Sequence, residues 1–281
     1  MTMVTSSPIR RPALRVAVGV LLLPVLTASA FSQEVQPTSA FEPLVGQPGK
    51  DVVWVPTPDA VVETMLDLAG VTPQDFLMDL GSGDGRTVIA AAKRGLRAKG
   101  IEYNPDMVLL ARRNAEAAGM SDRAEFEHAD LFATDFSQAQ VLTMFLLPEI
   151  NMKLRPAILS MTPGTRVVSN SFLMEDWRPD ETRRLPDCGS WCTAHLWIVP
   201  ARVEGIWTLP QGTLTLTQKY QKLTGRLGSA DLTDGTLRGD AIAFTVDGAV
   251  YTGRVQGTTM TGTVTDTEAG GAGGTFTATK R

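Results

Sequence analysis

Between residues 51 and 200 the apolar positions fall into short blocks that alternate between helical and strand spacing. Val61, Val62, Met65, Leu66 and Ala69 share one helical face. Thr57 suits the cap of that helix, Pro58 its first residue and Gly70 its end. Phe76-Leu77-Met78-Asp79-Leu80 is a short apolar run of strand length that stops at Gly81. Thr87 to Lys93 is an alanine-rich helical run closed by Gly95. Arg97 to Glu102 predicts a second strand, Pro105 to Ala118 a helix capped by Asn104, and Ala124 to His128 a third strand. Val141 to Phe145 is a wholly apolar fourth strand, followed by a helix through Leu154 and Leu159, a turn at Pro163-Gly164 and a fifth strand through Ser169. Thr193 to Pro200 closes the series. Strands that alternate with helices predict an α/β fold built on a mainly parallel sheet.

Beyond residue 200 the helical spacing disappears. Ile206 to Leu209, Thr213 to Tyr220, Ala241 to Val246, Val250 to Val255 and Met260 to Val264 read as short strands, punctuated by glycines and rich in threonine. This predicts a C-terminal all-β antiparallel domain over residues 201–281, an open barrel or curled sheet, with Glu268 to Gly274 as a hairpin loop. Its role is left between target binding and support of the first domain. Residues 31–50 carry Pro, Gly, Ser and Gln without a period and read as a linker. Residues 1–30 place Arg10, Arg11 and Arg15 before an apolar stretch and end in Ala28-Ser29-Ala30, the layout of a cleaved signal peptide. The expectation is an exported protein with no stable membrane insertion after cleavage, or a cytoplasmic or membrane-anchored one if the signal is unused or uncleaved.

Charge narrows the partners. The chain has a net charge of −4, and without its first thirty residues 23 basic residues face 30 acidic ones, a net of −7. No basic surface is implied, so nucleic acid is not an expected partner. Cys188 and Cys192 flank Gly189-Ser190-Trp191, close enough for a bridge across a turn. Without a histidine pair beside them they fall short of a tetrahedral metal site, and His195 reads as a strand residue.

The candidate chemistry starts at Asp79-Leu80-Gly81-Ser82-Gly83-Asp84-Gly85-Arg86, between a strand and a helix. Gly81, Gly83 and Gly85 permit close approach of backbone to a ligand, Ser82 lies among them, and the N–H groups of the following helix face its polar end. A dinucleotide loop would read G-x-G-x-x-G, whereas here the third glycine comes one residue early. The loop suits the methionine carboxylate of S-adenosylmethionine instead. Glu102, at the end of the second strand, can accept from both ribose hydroxyls. Asp130, after the third, can accept from the adenine amino group with Leu131 beside the ring. Three acids at the ends of three successive strands sit where open α/β sheets bind ligands.

Together with Val55-Pro56-Thr57-Pro58, Glu102-Tyr103-Asn104, Asp130-Leu131-Phe132, Phe145-Leu146-Leu147, Pro163 to Ser169 and Trp177-Arg178-Pro179, the loop resembles the seven-strand protein-lysine methyltransferases. These include broad-specificity archaeal enzymes and mitochondrial ones acting on ATP synthase subunit c and the adenine nucleotide translocase. The resemblance covers residues 50–200 and implies a Rossmann-like seven-strand sheet, S-adenosylmethionine as cofactor and a protein lysine as methyl acceptor. It implies cofactor contacts from Thr57, Asp79, Gly81, Gly83, Glu102, Asn104 and Asp130, with Phe145 to Glu149 beside the transferred methyl. Glu149 is the candidate base, though a carboxylate after Pro148 equally suits an ordinary first helical turn. Asn170 departs from the histidine frequent there in the family. A non-catalytic exported binding protein and a small-molecule methyltransferase remain the alternatives.

Overall fold

The computed structural model describes residues 2, 3, 5–10, 12, 13, 41–186, 188–266 and 273–281. Most of the expected signal segment, residues 31–40 of the expected linker and residues 268–272 of the expected hairpin loop lie outside the described residues. Among the described residues no helix is long and apolar enough to cross a membrane. Phe41–Arg281 forms one compact unit.

The first helix, α1 (Asp59–Ala69), buries Val61, Val62, Met65, Leu66 and Ala69 as the spacing predicts, and Gly70 ends it with φ +57°. Its start corrects the expectation. Pro58, not Thr57, is the cap residue, and the Pro58 carbonyl accepts from Val61 and Val62. Thr57 Oγ1 instead accepts from Asn170 Nδ2 at 3.5 Å.

Then follow β1 (Phe76–Leu80), α2 (Arg86–Lys93), β2 (Arg97–Glu102), α3 (Pro105–Ala117), β3 (Ala124–His128), β4 (Val141–Met144), α4 (Pro148–Ile158), β5 (Arg166–Asn170), β6 (Glu181–Arg184) and β7 (Thr193–Ile198). They form a seven-strand sheet in the order β3-β2-β1-β4-β5-β7-β6. The first five strands of that order are parallel, and β7 runs antiparallel to both its neighbours. Successive strand residues point to opposite faces. Leu77 accordingly joins the core under α1 and α2, and Met78 the core under α4 with Trp177 and Trp197. The connections leave β1 in one direction toward β2 and in the other toward β4, which opens a crevice at their carboxyl ends.

The C-terminal strands are β8 (Gly205–Leu209), β9 (Gly212–Lys219), β10 (Lys222–Leu227), β11 (Ala230–Arg238), β12 (Ala241–Val246), β13 (Ala249–Gln256), β14 (Thr259–Asp266) and β15 (Gly273–Lys280). They make a closed antiparallel barrel rather than an open or curled sheet. Closure comes from β15 pairing with β8, where Thr279 meets Thr208 and Lys280 meets Trp207. Trp207, Leu214, Phe244, Met260 and Phe276 fill the interior. The barrel is fastened to the sheet by Tyr220, which stacks on buried Trp177 with ring centres 5.7 Å apart and donates to Asp176 Oδ1 at 2.9 Å.

Candidate functional site

The glycine loop grows directly from β1. Gly81 N and Ser82 N both donate to the Ile101 carbonyl of β2, at 2.9 and 3.0 Å, and Gly85 N donates to Ser82 O at 2.9 Å. This folds the loop back across the strand ends. A Cβ on Gly83 would stand 2.7 Å from Trp54 Nε1, and one on Gly81 would stand 3.1 Å from Leu146 Cδ2. Gly85 serves a different purpose. With φ +83°, its missing Cβ would lie 2.6 Å from Phe126 Cζ and 2.9 Å from Ala111 Cβ, so it lets α2 start against β3 and α3.

Each acid expected in the site is held by its neighbours. Glu102 Oε2 accepts from Gly83 N at 3.0 Å and Oε1 from Asn104 N at 2.8 Å. An ionised carboxylate offers about four acceptor positions, so about two are left. Asn104 Oδ1 caps α3 by accepting from Asp106 N at 2.9 Å. Asp130 Oδ1 accepts from Phe132 N, and its Oδ2 pairs with Lys50 Nζ at 2.6 Å. The Lys50 hydrogen bond, more than any other neighbour, holds Asp130 below the ordinary carboxylate range. Asp79 is the opposite case. Burial pushes its carboxyl up to about 7, opposed by the hydrogen bond from Thr143 Oγ1 at 2.7 Å and assisted by repulsion from Glu102 and Asp84.

These groups converge on one cleft of about 510 Å³. Thr57, Asp79, Gly81, Ser82, Gly83, Glu102, Asn104, Asp130 and Leu131 all line it. Two of the expected residues do not. Gly85 is in the packing position just described, and Glu149 is exposed on the first turn of α4. Residues 47–50, expected to be linker, form one wall. Trp54 N donates to Gln47 O, Gly49 N donates to Val52 O, and Lys50 reaches across to Asp130 and the Tyr103 ring. Sequence reasoning missed Lys50 and Trp54 as site residues, and for Trp54 alone the apolar run through Val52, Val53 and Trp54 was the available signal.

At the other end, Phe145 and Phe172 are joined by Trp191, which sequence reasoning left in a turn. The three ring centres lie 5.2–5.9 Å apart. Cys188 and Cys192 are paired as a disulfide around Trp191, with Cα atoms 5.8 Å apart. Buried Asn170 does not line the cleft; its Nδ2 donates to Thr57 Oγ1 at 3.5 Å and its Oδ1 accepts from Ser171 Oγ at 2.8 Å.

A sheet of this order, with a glycine loop between β1 and α2 and acids at the ends of β1, β2 and β3, defines an S-adenosylmethionine-dependent methyltransferase. Relatives specify the class further. The family model described as the ANTKMT methyltransferase domain matches residues 79–181. A protein-lysine N-methyltransferase of Saccharolobus islandicus is 40% identical over 151 residues, 53% of this chain and 94% of its own length. The adenine nucleotide translocase lysine N-methyltransferase of Mus musculus is 39% identical over 120 residues, 42% of this chain and 52% of that protein. A crystal structure described as an RNA methyltransferase from Salinibacter ruber with S-adenosyl-L-homocysteine is 48% identical, with a TM-score of 0.50, covering 53% of this chain and 96% of that one. The chain belongs to the protein-lysine N-methyltransferase family, and its cofactor is S-adenosylmethionine.

Proposed function

We propose that the protein transfers a methyl group from S-adenosylmethionine to the side-chain amine of a lysine in a protein. The observation that carries this reading is the 40% identity that extends over 94% of the archaeal lysine methyltransferase. The cleft residues suit the cofactor. Asp79 offers a buried carboxylate to its ammonium group, and the spare acceptor positions of Glu102 match a pair of ribose hydroxyls. Asp130 and Leu131 suit the adenine edge and ring, with Asn104 and Thr57 completing the wall. Gly81 and Gly83 present backbone with no Cβ to fill the cradle.

When bound, the cofactor supplies a methyl group already activated on a sulfonium sulfur. The chain's task is then to hold a neutral amine in line with the methyl–sulfur bond. A lysine amine has a reference pKa of about 10.4 and must lose its proton first. Leu146 and Leu147 present apolar surface that disfavours the charged form, and the proton passes to water at the mouth. Exposed Glu149 is not needed as a base in this scheme.

Incubation with radiolabelled S-adenosylmethionine and an extract from the source cell, followed by mass spectrometry, tests the reading: methylated lysine supports it, and label confined to other residues overturns it. The Salinibacter relative favours a second reading, methylation of RNA, so total RNA is included as a separate acceptor. The acidic charge of this chain argues against it. We also propose export through residues 1–30, on the basis of their charged, apolar and small-residue segments. A reporter fused after residue 35 that stays in the cytoplasm would refute that proposal.

A further inference from the structure

We infer that Trp191, held by the Cys188–Cys192 bridge, completes an aromatic wall that binds the acceptor as a cation before it loses its proton. The inference rests on the lysine-methyltransferase reading and names how the acceptor end of that cleft recognises its substrate.

Three observations converge. First, Phe145, Phe172 and Trp191 all line the end of the cleft next to Leu146 and Leu147. Their centres are mutually within 5.2–5.9 Å, so one ammonium resting on the patch can come within about 6 Å of all three, the range in which ring faces attract a cation. Second, Tyr103, another ring of the cleft, already carries a cation of the chain, Lys50. Among the described residues no such pair is made by Phe145, Phe172 or Trp191. Third, the backbone holds two of the rings in place through uncommon geometry. Trp191 itself has φ +61°, and Ser171, just before Phe172, has φ +60°. Ser171 N donates to Thr193 O, and Leu185 N donates to Cys192 O, so the bridged turn is tied to both sides. Trp191 is 43% exposed, so its ring is open to an acceptor at this end of the cleft.

The experiment uses the whole protein with its bridge intact, saturated with S-adenosylhomocysteine and titrated by calorimetry. The probes are choline and its neutral isostere 3,3-dimethylbutan-1-ol, which differ in charge but hardly in shape. Choline is expected to bind at least about tenfold more tightly than the isostere. Trp191→Ala should weaken choline about fivefold or more, Trp191→Phe should restore most of it, and the paired Cys188→Ser, Cys192→Ser variant should resemble Trp191→Ala. S-adenosylhomocysteine affinity should stay unchanged in all three, which reports that they fold. Equal binding of choline and the isostere, an unchanged Trp191→Ala, or cytidine binding more tightly than choline overturns the inference. Methyl transfer to poly-L-lysine, measured separately on the wild type, tells the two readings apart: transfer with Trp191-independent choline binding sinks only the aromatic wall, whereas no transfer sinks the lysine reading itself.

Discussion

Replacing Asp79 with asparagine removes a carboxylate that the fold holds against its own preference. Asp79 is 6% exposed, and its carboxyl is pushed from 3.8 up to about 7, chiefly by burial. A carboxyl that is a weaker acid in the folded state binds more protons folded than unfolded, so stability falls as pH rises between the two values. The slope is about 1.4 kcal/mol per pH unit, which accumulates to about 4 kcal/mol once the pH passes 7. Below about pH 4 the group is protonated in both states and contributes nothing to this dependence. Asparagine carries no charge and can still accept from Thr143 Oγ1. Asp79→Asn is therefore expected to match the wild type near pH 4 and to exceed it by up to about 4 kcal/mol at pH 8, read from urea unfolding at several pH values. The same variant should lose most of its affinity for S-adenosylmethionine, because a buried carboxylate facing the cofactor's ammonium is gone. In the wild type that affinity should weaken about tenfold for each pH unit below 7, and the weakening should vanish in the variant. A stability difference that is flat with pH, or an asparagine variant less stable at pH 8, would refute the argument.

Other consequences can be checked in the same way. Thr143→Val deletes the donor to ionised Asp79 and should cost about 1.5–3 kcal/mol at pH 8 but less near pH 5, by urea unfolding. Gly85→Ala places a methyl group against Phe126 at a left-handed φ and should lower stability by about 2–4 kcal/mol; a loss under about 1 kcal/mol would show that the start of α2 can shift. Glu149→Gln should leave turnover on a lysine acceptor within about threefold, whereas a hundredfold loss would make Glu149 the base. Tyr220→Ala should cost about 1–3 kcal/mol through the ring pair with Trp177, and Tyr220→Phe under about 1.5 kcal/mol through one hydrogen bond.

What could be read in the chain was what local physics decides. An apolar run that stops at Gly81 located β1, the short segments after helices closed by Gly95 and Gly119 located β2 and β3, and the strand-end acids Asp79, Glu102 and Asp130 were legible because the sheet topology leaves their ends at one crevice. The cap assignment to Thr57 failed because the Pro58 carbonyl takes both first-turn donors and frees the hydroxyl for Asn170. Strand β6, Glu-Thr-Arg-Arg, is exposed along its whole length and carries no alternation to detect. Strands β10, β11 and β15 dilute theirs with Gly and Thr. Lys50 and Trp191 are visible only in three dimensions: one acts on Asp130 across 80 residues, and the other meets Phe145 from a separate turn.

Closure of the C-terminal strands depends on few atoms. Where β14 and β15 pair over most of their length, the β15–β8 joint has two registered pairs, extended by Arg281, whose amide donates to Ile206 O and whose Nε donates to Thr208 Oγ1. Clipping Thr279, Lys280 and Arg281 would unzip that joint and expose two raw strand margins able to recruit copies of themselves. A carboxypeptidase would thus turn a sealed cylinder into a seed for aggregation, while the cofactor cleft, lined wholly by residues before Thr193, kept its walls.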